Sequence, residues 1–503
     1  MSRQLHRVGR LLNAAARSPF AAVVLVLALG AAPLAAQQVI EDADITRAVE
    51  DELWIDQMVD ANGIDVSTSE GIVVLDGSVG TILAKDRAAR IAESTVGVRA
   101  VVNRIEVEPG IQRDDAGLAK AVAQSLRDDP ATAPYDLEVS ADNGVVTLTG
   151  TVASWQARDL ADTVARGVRG VTGVVNLLRA ADTGERTDAE IEAEVEARLA
   201  NDVRVDDYLI VVDVDDGKVH LSGTVGSLAE KNRAISMGWV SGVDAVDGDA
   251  LEIEWWARDS MRRKTSFADR GDEELEQAVK DAFLYDPRVL SFRPEVSVSD
   301  GVVTLSGTVR DLAAKRAAEA DARNVTGVWR VRNHIKVRPL DVDDESIEAR
   351  LADVFFEDPI LTRWDITIDS ILGVVTLTGT VNTPYEQNRA EKLAERIDGV
   401  VEVINRLDHR YRWTPRPDWE IRADIKDQLW WSPFVDASEV MVEVDAGVAT
   451  LSGEVETWGE RQAAEQNAFE AGARAVRNDL TVVRRLYGPY PTYDLPLPPP
   501  FGS

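Results

Sequence analysis

Four histidines, at positions 6, 220, 334 and 409, are the residues whose chemistry can be tested most directly against spacing. His220 falls where equivalent segments carry Thr or Val, and His334 and His409 occupy non-equivalent places. No HExxH or paired-ligand spacing joins any of them, so neither a zinc site nor a histidine base is expected. Ser-His-Asp catalysis would need one of these imidazoles facing a serine, and no Gly-x-Ser-x-Gly elbow is present. Asp213, Asp215 and Asp216 ahead of Gly217 resemble a calcium loop in composition. They lack a downstream bidentate Glu at the required spacing, and a turn is the better reading. Paired carboxylates for acid–base work cannot be singled out among 87 acids. The absence of cysteine excludes disulfides, thiolate metal sites, thiol catalysis and a lipidated cysteine anchor. The chain is therefore expected to have no catalytic residue, cofactor or metal, and no small-molecule substrate.

What the sequence does carry is repetition. GIVVLDGSV at Gly71, GVVTLTGTV at Gly144, GKVHLSGTV at Gly217, GVVTLSGTV at Gly301, GVVTLTGTV at Gly373 and GVATLSGEV at Gly447 are six copies of one segment. Each opening glycine is followed six residues later by an inner one: Gly77, Gly150, Gly223, Gly307, Gly379 and Gly453. A third follows about twenty residues on, at Gly97, Gly170, Gly242, Gly327, Gly399 and Gly472. Six residues beyond it stands Asn103, Asn176, Asn333, Asn405 or Asn478, with Gly248 as the exception. The interval from Gly217 to Gly301 is longer than the others by about eleven residues, which places an insertion at 255–271.

Within a unit the hydrophobic period changes in a fixed order. Ile45, Val49 and Leu53, like Leu118, Val122 and Leu126 or Ile191, Val195 and Leu199, share one helical face. Asp-Pro pairs such as Asp129-Pro130 and Asp358-Pro359 stop that helix. Alternation around Asn143-Gly144 and Asp300-Gly301 then predicts a tight hairpin of two antiparallel strands. Val145, Leu148, Val302, Leu305, Val374 and Leu377 are expected in the strand core. An Ala-rich segment, such as 313–323, predicts a second helix ended by the third glycine as a C-cap. A short apolar strand closes the unit. The inner glycine predicts a bulge or a close backbone approach, with a helix crossing the sheet as the expected neighbour.

These glycines, the α-β-β-α-β order and the later Gly-x5-Asn resemble the BON domain, found in osmotically inducible periplasmic and nodulation proteins of Gram-negative bacteria. Gly248 and Leu372-Gly373 are the departures from its pattern. The resemblance implies an α+β fold in a tandem array of six units, at 41–109, 114–180, 187–254, 272–338, 343–410 and 418–484. Each would have a three-stranded mixed sheet packed against two helices. It also implies an exported, non-enzymatic module tied to envelope stress, with phospholipid surfaces or envelope proteins as partners.

Flanking features give the expected address. Arg3, Arg7, Arg10 and Arg17 precede an apolar run from Phe20 and small residues up to Ala36, the order of a secretory signal peptide at 1–36. The same stretch could be retained as an anchor. The periplasm is the expected compartment, with the protein peripheral to a membrane if lipid is its partner. Removing those arginines takes the formal charge from −32 to −36, which opposes contact with nucleic acid. Against that background, Trp255, Trp256, Arg262, Arg263 and Lys264, and Arg410, Tyr411, Arg412 and Trp413, form basic-aromatic clusters. Each is a candidate for membrane or partner contact, with domain packing as the alternative. Residues 487–503, rich in proline, read as a polyproline-like tail.

Overall fold

The computed structural model describes residues 40–56, 58–110, 113–181, 186–254, 257, 270–290, 292–339, 342–410, 415–432, 434–455 and 457–483. The expected signal segment, the proline-rich tail and most of the 255–271 insertion lie outside them.

In unit two the chain runs through helix Asp115–Asp128, strands Glu138–Asp142 and Val145–Thr149, helix Trp155–Arg166 and strand Gly173–Asn176. The first two strands are antiparallel and the second and third parallel, so the hairpin strand is central. The other five units repeat this order. The helical stripes read from the sequence are buried: Leu118, Val122 and Leu126 are at most 3% exposed. A turn of polar or proline residues then lets the chain reverse, and the apolar face of the sheet closes on the two helices.

The strand register differs from expectation at half of the named positions. Val146, Leu148, Val303, Leu305, Val375 and Leu377 face the helices and are fully buried. Val145 is 37% exposed and Val302 and Val374 are only partly covered. Alternation places one residue in two on each face, and Val145 and Leu148, three apart, cannot both point inward.

The inner glycines sit in the left-handed half of backbone space, but no helix crosses them. Gly77 has a φ of +124°, and a Cβ there would lie 1.9 Å from the carbonyl oxygen of Gly63, just before the partner strand. The close approach is strand to strand. Gly307 has a φ of +116° with its nearest neighbour 3.8 Å away, so only the backbone conformation demands glycine there. Of the third glycines, Gly472 of unit six caps helix two as expected, at φ +95° directly after Ala471 with the Ala473 N–H on the Ala468 carbonyl, while those of units one to five lie further on. Helix Ile82–Glu93 ends on Ser94, and Gly97, at φ +88°, lies in the turn beyond it.

Units pack both against sequence neighbours and against units distant in sequence. The N–H of Thr326 in unit four donates to the carbonyl of Asn201 in unit three, and Val203 N–H donates to Asn324. Unit two meets unit five in the same way, the Arg169 N–H donating to the Glu357 carbonyl at 2.7 Å. In both cases the last residue of an odd unit's first helix accepts from the residue before an even unit's third glycine. Units four and five join through Ala313 N–H and the Glu395 carbonyl, and units two and three through Trp155 and Trp239, whose rings lie 4.2 Å apart and tilted by 45°. Units four and six meet where the Trp458 indole donates to the Trp329 carbonyl, and units one and six where Arg87 reaches Glu470 at 3.4 Å. Packing between sequence neighbours alone, as in a solenoid, does not describe these residues.

Gly77→Ala is expected to lower stability by more than about 2 kcal/mol, because strain and a backbone clash add. Gly307→Ala, with strain alone, should cost about 1 kcal/mol. Urea unfolding of both variants checks the ranking, and equal losses would contradict it.

Candidate functional site

Three side-chain devices recur in register and hold each unit's loops. The first is an aspartate opening helix one. Asp115 accepts the N–H groups of Asn143 and Gly144, both at 3.1 Å, and so pins the hairpin turn to the helix. Asp42, Asp188, Asp272, Asp344 and Asp418 do the same in their units. Backbone N–H groups and the Ser370 hydroxyl on the Asp344 carboxylate hold its carboxyl below the ordinary value. This residue was missed from sequence, although an aspartate stands 29 positions before every opening glycine. The second is the N-cap of helix two, four residues after each inner glycine: Thr81, Ser154, Ser227, Asp311, Thr383 and Thr457 each accept an N–H from the first turn.

The third is the asparagine of Gly-x5-Asn. Asn333 donates to the Lys315 carbonyl of helix two and accepts the Ile335 N–H, so it ties the closing strand to the helix. Asn103, Asn176, Asn405 and Asn478 repeat the link. Unit three, with Gly248, uses the Lys231 amine on the Leu251 carbonyl instead.

The Asp188, Asp215 and Asp216 carboxylates lie together, and Asp188 is committed to the N–H groups of Asp216 and Gly217. That is the turn clamp of every other unit; Asp216 sits in the hairpin turn, while Asp213 and Asp215 belong to the strand Ile210–Asp215 that leads into it. His220 lies 3.5 Å from Asp247, both exposed on the sheet.

An aspartate follows helix one in five units, buried in four of them and half-buried at Asp56. Asp56, Asp202 and Asp358 pair with Arg87, Arg233 and Arg389 of their own second helices. Burial alone would raise the Asp202 carboxyl, but Arg204 and Arg233 outweigh it and hold it far below the usual range. Units two and four carry Leu160 and Ala317 where that arginine would stand. Asp286 turns to Arg288, while Asp129 is held by Arg396 of unit five.

Of the basic-aromatic candidates, Trp255, Trp256, Arg262, Arg263, Lys264, Tyr411, Arg412 and Trp413 lie outside the described residues. Arg410 is exposed, with its guanidinium 5.5 Å from the Trp364 ring centre.

Comparison with known proteins agrees with these repeated devices. The BON domain matches residues 41–109, 114–182, 187–254, 271–339, 343–410 and 417–484. The chain belongs to the BON domain family. It is 36% identical over 143 residues to "Osmotically-inducible protein Y" of Escherichia coli (strain K12), covering 27% of this chain and 71% of that protein. Against "Outer membrane lipoprotein DolP" of Haemophilus influenzae the identity is 30%, covering 28% and 76%. A "21 kDa hemolysin" of Actinobacillus pleuropneumoniae is 29% identical, covering 24% and 64%.

Where BON unit one meets unit six, burial and then the Glu470 charge push the Glu52 carboxyl up to about 8. The folded chain keeps this proton where the unfolded chain would release it. Stability from this residue is therefore lost as pH rises from about 4.5 toward 8, and the loss is constant above that. Glu52→Gln should raise the melting temperature at pH 8.5 and leave it unchanged near pH 4; the reverse ordering in a thermal scan would contradict the assignment.

Proposed function

We propose that this multi-BON chain is a non-enzymatic periplasmic protein that binds or shields envelope components, as a scaffold or holdase-like factor. The observation that carries the binding reading is the face of each sheet turned away from its helices. In unit two Val145, Val175 and Leu177 are 37%, 43% and 57% exposed, and Ile72 and Val102 hold similar places in unit one. Apolar groups left open across several units can hold unfolded or partly folded segments weakly and at many points. The envelope reading is supported by the relatives' names, osmotically inducible and outer membrane lipoprotein, and by the expected signal segment. Among the described residues no helix is long and apolar enough to cross a membrane.

The purified chain should suppress light scattering from a chemically denatured client diluted into buffer. Val175→Ser with Leu177→Ser should weaken suppression without lowering the melting temperature. No suppression at a several-fold molar excess would count against the holdase reading.

A phospholipid surface is the second reading, favoured by the exposed Arg410 guanidinium, which lies over the half-buried Trp364 ring. In that case the chain should co-sediment with anionic vesicles at low salt and be released by about 0.15 M, where the screening length is about 8 Å. Neutralising Arg262, Arg263, Lys264, Arg410 and Arg412 together should abolish sedimentation. Binding indifferent to both salt and substitution would leave the clusters as packing segments.

A further inference from the structure

Units one, two, four, five and six surround a cavity of about 1550 Å³. Its lining departs from the rest of the protein in charge, with eight arginines and lysines facing eight acids, in a chain of 55 bases and 87 acids. Six of those acids are held in ion pairs. The other two, Asp128 and Glu465, accept N–H groups from Gln124 and Asn478. Two lining cations, Arg90 and Lys392, have no ion pair among the described residues.

Helix geometry sets these two on rows that line the same cavity from different units. Leu83, Arg87 and Arg90 make one row on the second helix of unit one, and Tyr385, Arg389 and Lys392 make one on the second helix of unit five. Both rows line the cavity. The Tyr385 hydroxyl accepts from Arg389 and lies beside Arg90, joining the rows. Burial, and next the Arg87 charge, push the Arg90 guanidinium below its ordinary value against the opposing charges of Asp86 and Glu93, and a further anion would act in the same direction as those carboxylates.

We propose that this cavity binds a small, multiply charged oxyanion, an organic phosphate or sulfate ester, whose oxygens bridge Arg90 of unit one and Lys392 of unit five. A guanidinium matches two oxygens of such a group as a fork, and an ammonium adds a point charge. A polyanion can reach both cations at once, which a single carboxylate cannot. The volume exceeds that of ordinary ligand clefts and leaves room for an organic moiety. Bound ligand would hold unit one to unit five, which are far apart in sequence.

Calorimetric titration of inositol hexakisphosphate into the full chain at low ionic strength tests this. One-to-one binding is expected, falling steeply by about 0.15 M salt. Arg90→Gln with Lys392→Gln should weaken it about tenfold or more while leaving the melting temperature unchanged, because neither residue is in an ion pair. Arg47→Gln with Arg104→Gln, on exposed side chains outside the cavity, makes the same change in net charge and should leave binding intact. Absence of binding, or equal losses in the two double variants, would overturn the proposal. Phosphatidylglycerol vesicles form a parallel arm. If they alone bind, and lose binding in the Arg90/Lys392 variant, the phosphoester belongs to lipid and the small-solute site is refuted.

Discussion

A carboxylate that is buried must find a cation or hydrogen-bond donors, or else keep its proton, and that requirement organises much of this molecule. The aspartate after helix one is buried in four units, with Asp358 only 2% exposed at its side chain. An ion pair at such a place adds little net stability over an apolar contact, but leaving the acid unpaired is costly, by about 3–5 kcal/mol. In units one, three and five the second helix supplies the arginine internally. Unit two has Leu160 in that place and takes Arg396 from unit five. A local electrostatic need thus becomes a contact between units far apart in sequence.

The same logic links the smaller devices. The opening aspartate satisfies turn N–H groups that face no strand partner, and the N-cap satisfies N–H groups that the second helix leaves unpaired. The asparagine returns the closing strand to that helix. Each small domain buries limited apolar area, so the cost of an orphaned polar group is a large share of its stability. Polar closure of every turn is what lets short helices and strands of this size hold a fixed register.

The fold was legible because its signals are periodic. Helix one, the hairpin and the order α-β-β-α-β follow from spacing in the 3.6 and 2.0 periods, repeated often enough to remove chance. The turn clamp was equally periodic but hidden, since an aspartate among 87 acids draws no notice until its distance to Gly144 is measured. The register was misjudged at Val145, Val302 and Val374 because the run Val-Val-Thr-Leu is apolar on both faces. The inner glycine marks a close approach at Gly77 but not at Gly307, and the neighbour at Gly77 is the chain entering the partner strand rather than a helix crossing the sheet, as its pairing with Ile64 reveals. Contacts between units were not legible, because some are backbone hydrogen bonds that no side chain announces and others depend on residues that break the repeat.

Those breaks deserve the final weight, because six identical units could not specify one arrangement. Identical copies offer identical surfaces, and any unit could dock on any other with equal free energy. Specificity requires differences that favour one pairing and penalise the rest. Leu160 in place of an arginine leaves Asp129 unsatisfied unless a unit carrying an outward cation arrives, and Arg396 of unit five is that cation. Trp458 of unit six, whose indole is spent on the Trp329 carbonyl, marks the contact with unit four in the same way. The residues shared by all copies build the domain, and the residues that differ between copies decide which domain meets which.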